Sequence, residues 1–232
     1  MSEQRGVRTD PNVAGLERLE GIYSTRFGDE DAQRKTIVWQ EICRYLQRYV
    51  PRDAAVLDLA CDRGDFIRNI EARERWACDV RDVSRYMPPD VAFVQTNGLA
   101  IANVLPAAHF DVIFMSNYLE HLPSGGHVIE QFRAAAVILK RGGRVMVLQP
   151  NIRFTGQSYW DFIDHRVALT EKSLVEAAEL AGFRTEHLIR RFLPYTTKGR
   201  LPVSAPAVRA YLAFRPAWRL LGKQTLYVGR VD

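Results

Sequence analysis

The chain of 232 residues has a net charge of +5 and 47% hydrophobic side chains, a composition that supports one large core and excludes a disordered chain. Its three cysteines, Cys43, Cys61 and Cys78, have neither the spacing of a zinc site nor the even count of a disulfide framework. Because MSEQRGVRTDPNVAG does not resemble a signal peptide and no apolar run is long enough to cross a bilayer, we expect a cytoplasmic protein.

The chain opens with a polar segment and a predicted helix. Residues 1–30 are aperiodic apart from GIYSTRFG, in which Tyr23 and Phe27 are candidates for a lid over a binding site or for contacts that pin the segment. From Asp31, apolar side chains recur at helical spacing until Pro51 ends the helix. We therefore interpret residues 1–30 as an N-terminal segment or lid.

Strands and helices then alternate along the chain. The predicted strands are 54–60, 75–80, 91–96, 109–117 and 144–150, and the predicted helices are 65–72, 126–140 and 170–181. Arg141-Gly142-Gly143 closes the second of these helices, whereas Thr170 is a good N-cap and Gly182 a good terminator for the third. Such alternation requires right-handed crossovers, so we predict an α/β fold with a doubly wound, Rossmann-like sheet and helices on both faces.

The last part of the chain is basic. From Arg184 onward, ten basic residues face only two acidic ones, around a predicted helix at 206–221 and a final strand QTLYVGRV. We interpret residues 31–232 as a single domain with a basic C-terminal extension, 184–232. Such an extension suits a polyanion, a peripheral contact with a membrane or an anionic substrate, and it is equally compatible with a solvated basic face.

Polar side chains mark the ends of four predicted strands. Asp58 lies in the first strand, Asp79 closes the second and Asn97 follows the third, whereas Ser116 and Asn117 end the fourth. In an open parallel sheet the carboxyl ends of the strands share one edge, where ligands bind. A carboxylate at the end of the second strand can accept both ribose hydroxyls of an adenosine. These side chains therefore predict a nucleoside site.

The loop after the first strand is short of glycine. Between Asp58 and Gly64 the chain carries Ala60 and Asp62 where a nucleotide loop would have glycines. The fingerprint G-x-G-x-x-G of an NAD-dependent dehydrogenase is absent, and the Asp62 carboxylate would repel a pyrophosphate. A cofactor without phosphate tolerates this carboxylate, so the loop argues against a dinucleotide more firmly than against an adenosine cofactor.

Four stretches together resemble a known family. VLDLACDRGDF, the strand end at Asp79, FDVIFMSNYLEHLP and LKRGGRVMVLQPN are similar, in order and spacing, to the motifs of class I S-adenosyl-L-methionine-dependent methyltransferases, over residues 56–182. The resemblance implies the sheet of that family, with an antiparallel final strand, and S-adenosyl-L-methionine as cofactor. GQSYWDFIDH, RFLPYTTKGRLP and GKQTLYVG further resemble a bacterial subgroup associated with glycan and polysaccharide biosynthesis.

The resemblance assigns cofactor contacts to specific positions. Loop residues would line the methionine part, the acid that ends the second strand would hold the ribose, and the amide after the third strand would lie near adenine. The serine that ends the fourth strand would lie near the methionine backbone or the sulfonium. The residues assigned in this way are Asp58, Ala60, Cys61, Asp62, Gly64, Asp79, Asn97 and Ser116.

Methyl transfer to a hydroxyl also needs a base, and the candidates are His165, His121 and Asp161. We favour His165, in the aromatic segment YWDFIDH, over the alternative that it only hydrogen-bonds Asp161 or Asp164. His121 is either part of the site or a cap on the following helix. Glu120 and His121 resemble a cation-holding pair, but two adjacent ligands do not make a metal site, so we predict no metal.

These observations favour O-methyl transfer to a small molecule or glycan by a monomer or homodimer. One alternative is an RNA or protein methyltransferase, suggested by the basic extension. Because the chain has neither a separate RNA-binding module nor an NPPY-like stretch after the fourth strand, we do not expect a nucleic-acid partner. The other alternative is a non-catalytic scaffold whose cofactor loop has degenerated.

Overall fold

The computed structural model of the protein describes residues 29–195 and 204–232. The strands are β1 (Ala55–Leu59), β2 (Glu74–Asp79), β3 (Val91–Gln95), β4 (Phe110–Ser116), β5 (Leu139–Pro150), β6 (Phe183–Ile189) and β7 (Gln224–Val231). The helices are α1 (Asp29–Leu46), α2 (Ile101–Val104), α3 (Gly125–Ile138), α4 (Ile152–Thr155), α5 (Glu171–Leu180), α6 (Ala205–Ala213) and α7 (Arg215–Leu221). The proposed lid residues Tyr23 and Phe27 lie outside the described residues.

The strands form one sheet of order β3-β2-β1-β4-β5-β7-β6. β7 runs antiparallel to both of its neighbours, and the pairs among β1 to β5 are parallel. This order confirms the predicted doubly wound sheet and its antiparallel final strand. The strand order reverses between β1 and β4, and the crevice at their carboxyl ends is where such sheets bind ligands.

The central strands are buried on both faces of the sheet. Successive side chains alternate between the faces, so Leu57 packs in one core cluster with Phe132 of α3. Its neighbour Val56 packs in the other cluster, with Leu46 of α1 and Trp218 of α7. Helices therefore cover both faces, which explains why β1 and β4 are almost entirely apolar.

The segment predicted as a helix at 65–72 forms hydrogen-bonded turns instead, so this prediction is wrong. The reason is competition for backbone groups by polar side chains. The Ile67 amide donates to the Asp58 carboxylate at 3.3 Å, and the Asn69 side-chain amide donates to the Asp65 carbonyl oxygen at 2.8 Å. The Asn69 side chain takes the Asp65 carbonyl oxygen that its own backbone amide would bind in a helix, and that amide donates to the Phe66 carbonyl oxygen at 3.0 Å instead. The Ile67 amide belongs to the first turn, which a helix would leave unpaired, so its bond to Asp58 does not compete with a helix.

Two other helix boundaries differ from the prediction. α3 ends at Ile138, and the stretch LKRGG belongs to β5, whose pairing with β4 shifts register between Phe110 and Val112. Gly142 has a φ of 74°, so this glycine allows the irregular backbone of β5 and does not end a helix. The helix predicted at 206–221 is divided into α6 and α7 close to Pro216, whose ring cannot continue a helix without strain.

Part of the basic C-terminal extension is paired inside the domain. Arg209 of α6 contacts Glu41 of α1 at 2.9 Å. Arg190 contacts Glu171 at 2.8 Å, and Arg230 lies 3.7 Å from the carboxylate of Glu186. Within the described stretches no helix is both long and apolar enough to cross a bilayer. A peripheral membrane contact through this extension stays a prediction.

The N-terminus of α5 tests the predicted helix cap. The Thr170 hydroxyl accepts the Ser173 amide at 3.2 Å, and the Ser173 hydroxyl accepts the Thr170 amide at 2.9 Å, which is a reciprocal capping box. We expect Thr170→Ala to lower the free energy of unfolding by about 1 kcal/mol. Urea denaturation measures this, with the exposed Lys172→Ala in the same helix as the control. Equal stability of the two variants would contradict the cap.

Candidate active site

The loop after β1 turns through three left-handed residues. Ala60, Asp62 and Gly64 have φ values of 57°, 49° and 74°. The loop is also anchored to the next strand, because the Cys61 amide donates to the Cys78 carbonyl oxygen at 3.0 Å. The backbone is thus that of a glycine-rich loop, although two of its three left-handed positions carry a side chain. Such a conformation costs an L-residue roughly 1–2 kcal/mol.

Two cations compensate the acidic residues around this loop. Asp79 accepts the Asp62 amide at 3.0 Å, which joins the loop to the end of β2. Arg81 contacts the carboxylates of Asp79 at 3.1 Å and of Asp62 at 3.0 Å, and Lys35 contacts Asp62 at 3.3 Å. Burial raises the pKa of Asp62, but Lys35 and Arg81 outweigh that effect and lower it below its ordinary value. Asp62 is therefore ionised and paired.

Asp58 lies deeper in the same crevice. Its side chain is among the buried charged groups of the domain, with 3% exposure, and accepts the Ile67 amide. Burial raises the pKa of this carboxyl well above its ordinary value. The neighbouring Cys61 is buried too, and burial raises the pKa of its thiol. Burial therefore disfavours the charged form of Asp58, and a cation near its carboxyl would favour that form.

The remaining strand-end residues lie on the predicted rim. Asn97 follows β3, and its side chain accepts the Leu99 amide as the N-cap of a 3₁₀ turn. Ser116 ends β4, where its hydroxyl accepts the side-chain amide of Asn117 at 2.9 Å. The parallel register of β1 and β4 places Ser116 at the same edge as Asp58. The structure thus brings these predicted residues to one edge of the sheet.

A cluster of two histidines and a glutamate lies beyond β4. The amides of Arg166 and Val167 donate to the carbonyl oxygen of Glu120, which pins the segment after β5 to the turn after β4. The imidazole rings of His121 and His165 lie 5.0 Å apart between centroids. Glu120 Oε1 lies 3.9 Å from His121 Nε2 and 4.0 Å from His165 Nε2. We call Glu120, His121 and His165 the histidine cluster.

Second partners orient two members of the histidine cluster. Gln149 donates to Glu120 Oε2 at 2.9 Å, and His121 Nδ1 lies 3.1 Å from the carbonyl oxygen of Asp164. Burial lowers the pKa of His165, and the charge of Glu120 opposes this shift. His165 is therefore neutral at neutral pH.

The aromatic segment after β5 mostly packs around the cluster. Tyr159 is fully buried, and its ring lies 4.9 Å from that of His165, whereas Phe162 lies 5.1 Å from it on another side. Trp160 is half exposed, and the candidate base Asp161 is exposed. The carboxylate that contacts His121 is that of Asp164 rather than Asp161.

The structure decides one alternative for His121 and reveals residues that the sequence did not. Ser124, not His121, is the N-cap of α3, so the helix-cap interpretation is wrong. The sequence prediction missed Lys35, Arg81 and Gln149. Arg81 follows Asp79 by two residues, a spacing that could have identified it, but no local pattern links Lys35 or Gln149 to this edge.

Comparison with known proteins identifies the family. Residues 31–188, more than half of the chain, match the family described as a methyltransferase domain. The chain belongs to this methyltransferase family. No curated protein sequence matches it.

Solved structures with the same fold are distant in sequence. A structure from Thermotoga maritima, described as a possible histamine N-methyltransferase, is 13% identical with a TM-score of 0.63, over 93% of this chain and 98% of the other. A SAM-dependent methyltransferase from Archaeoglobus fulgidus is 18% identical with a TM-score of 0.58, over 82% and 92%. Geranyl diphosphate C-methyltransferase from Streptomyces coelicolor, solved with Mg²⁺, geranyl diphosphate and S-adenosyl-L-homocysteine, is 13% identical with a TM-score of 0.58, over 83% and 76%.

The left-handed loop generates a stability prediction. Because Ala60 has a φ of 57°, Ala60→Gly should relieve strain and raise the free energy of unfolding by up to about 1 kcal/mol. The matched control is Ala136→Gly inside α3, which should lower it by about 1 kcal/mol. Urea denaturation of both variants measures the difference. A loss of stability in Ala60→Gly as large as in the control would contradict the strain.

Proposed function

We propose that the protein transfers a methyl group to a hydroxyl of a small molecule or glycan. The observation that carries the proposal is the histidine cluster of Glu120, His121 and His165 beside the carboxyl end of β4, in which the carboxylate is buried. A hydroxyl is a poor nucleophile until its proton is removed, and a neutral imidazole next to a carboxylate can accept that proton. The cluster supplies this pairing at the end of the sheet where the cofactor binds.

The cofactor is S-adenosyl-L-methionine. In our assignment, the Asp79 carboxylate, which also contacts Arg81, would hold the ribose hydroxyls. The buried Asp58 carboxyl would hold the protonated amine of the methionine part, a cation that favours the charged form of the carboxyl. The adenine lies near Asn97 and the sulfonium near Ser116. The loop from Ala60 to Gly64, with Cys61 and Asp62, lines the methionine part.

The reaction is an in-line displacement at the methyl carbon. The acceptor oxygen forms a bond to this carbon as the carbon–sulfur bond breaks, and the bonding electrons stay on sulfur, so that the sulfonium becomes a neutral thioether. In our proposal the hydroxyl proton passes to His165 Nε2, while Glu120 stabilises the resulting imidazolium. The enzyme then contributes mainly alignment of the two reactants and exclusion of water.

Two features support a glycan as the acceptor. The half-exposed ring of Trp160 packs at 5.3 Å on Tyr159, which in turn contacts His165. An exposed aromatic face of this kind suits the apolar face of a sugar. The resemblance of the segments at 156–165 and 191–202 to a subgroup associated with polysaccharide biosynthesis points the same way.

The ribose assignment generates a binding prediction. Asp79→Asn keeps the shape of the side chain but removes its charge, so we expect affinity for S-adenosyl-L-homocysteine to fall by about 1–3 kcal/mol, roughly 5- to 150-fold. Isothermal titration calorimetry measures this. The control is Asp82→Asn, an exposed carboxylate that hydrogen-bonds Ser84 and should leave affinity unchanged. Unaltered affinity in Asp79→Asn would refute the ribose assignment.

The acceptor assignment is tested by turnover. With radiolabelled methyl donor and a panel of sugar hydroxyls, phenols and amines, we expect label in alkali-stable ethers. His165→Asn should lower turnover by about 10²–10⁴ while cofactor affinity stays unchanged. His127→Asn, a histidine on α3 that contacts Ser124, is the control and should keep full turnover. Label found only on amines would refute the hydroxyl assignment.

A further inference from the structure

The histidine cluster has the geometry of a cation site. One ligand atom from each of Glu120, His121 and His165 lies within 4.8 Å of the others. A cation with metal–ligand bonds of about 2.0–2.2 Å holds its ligand atoms roughly 3–4 Å apart. The three atoms therefore need to move inward by only small side-chain rotations to share one ion.

The three groups converge without hydrogen-bonding one another. The distances from Glu120 Oε1 to the two Nε2 atoms, 3.9 and 4.0 Å, are longer than hydrogen bonds. Glu120 is 1% exposed and the side chain of His165 is 6% exposed, so both are almost out of contact with water. A buried carboxylate that faces two imidazoles at these distances leaves room for a positive charge between them.

The surrounding residues orient the ligand atoms towards that space. Gln149 binds Oε2 of Glu120 and leaves Oε1 facing the histidines. The carbonyl oxygen of Asp164 accepts the proton on His121 Nδ1, which leaves the lone pair on Nε2 towards Glu120. Metal-bound histidines and carboxylates are usually held in this way, by a second hydrogen bond on the atom that does not bind the metal.

We propose that Glu120, His121 and His165 bind one divalent first-row transition-metal cation, such as Zn²⁺ or Mn²⁺. Two imidazoles and one carboxylate favour these ions over Mg²⁺, which prefers oxygen ligands. Three protein ligands leave coordination positions open for a further molecule. His121, whose side chain is 22% exposed, marks the side from which that molecule enters.

The role of the cation rests on the proposed O-methyl transfer, whereas its binding does not. A cation held by Glu120, His121 and His165 would make an acceptor hydroxyl at an open position more acidic, because it would stabilise the oxygen anion. The hydroxyl proton would pass to water as the acceptor binds, and the oxygen would then form its bond to the methyl carbon as the carbon–sulfur bond breaks. In this form of the mechanism His165 is a metal ligand rather than the proton acceptor. We predicted no metal from the sequence because only Glu120 and His121 are adjacent there. The third proposed ligand, His165, comes from the segment after β5.

The test is metal binding by the full chain without an affinity tag. After dialysis against a chelator and then against buffer, ZnCl₂ is titrated by calorimetry and Mn²⁺ by electron paramagnetic resonance. We expect one cation per chain, with affinity at least 10-fold weaker in Glu120→Gln and in His165→Asn. The control His127→Asn keeps the same histidine count as His165→Asn and should bind as the wild type does.

Cofactor binding separates the possible failures. The affinity for S-adenosyl-L-homocysteine is measured for every variant, and a variant that retains this affinity has kept its fold. If Glu120→Gln or His165→Asn loses this affinity, His121→Asn, at the more exposed side of the cluster, is tested in its place. If the wild type binds the cofactor but no cation, the inference of a cation site is overturned and the proposed function is not. The same holds if the cluster variants bind the cation as tightly as the wild type does. Cation binding that the variants lose would support it even if no hydroxyl were methylated, a result that overturns only the proposed function.

Discussion

The architecture depends on one constraint, the burial of β1 and β4 on both faces. These two strands lie side by side at the point where the strand order reverses, so the chain leaves them in opposite directions across the sheet. Helices must then cover both faces, and the crevice in which such a sheet binds ligands lies at the carboxyl ends of the strands. Asp58 near the end of β1 and Ser116 at the end of β4 place polar groups there.

The loop after β1 shows how the domain tolerates missing glycines. Ala60 and Asp62 adopt left-handed backbone that would suit glycine better. Asp62 is compensated, because its amide binds Asp79 and its carboxylate pairs with Lys35 and Arg81. The Asp62 carboxylate, which the sequence of a cofactor loop would not lead one to expect, thus connects the loop to Lys35 of α1 and to Arg81 after β2. The loop has not degenerated into an ordinary turn.

The histidine cluster arises from contact between two segments that are far apart in the chain. The turn after β4 supplies Glu120 and His121, and the segment after β5 supplies His165, with two backbone hydrogen bonds to the Glu120 carbonyl oxygen holding them together. The rings of Tyr159 and Phe162 also pack against His165. A buried carboxylate and a shielded imidazole are placed together in this way, which is the electrostatic setting that proton transfer or cation binding needs.

The sheet, the strand ends and the family resemblance could be predicted from the sequence, because buried parallel strands leave long apolar runs and because polar residues must follow them. The sequence also identified both histidines and the cap of α5, since capping depends on neighbours within one helical turn. It did not predict that residues 65–72 avoid a helix, nor that Lys35 pairs with Asp62 or that Gln149 orients Glu120. The turns at 65–72 come from a local contact, in which the Asn69 side chain takes the Asp65 carbonyl oxygen. The contacts of Lys35 with Asp62 and of Gln149 with Glu120 were settled by the fold, because the sheet brings together groups from distant parts of the chain and residue spacing does not reveal such contacts.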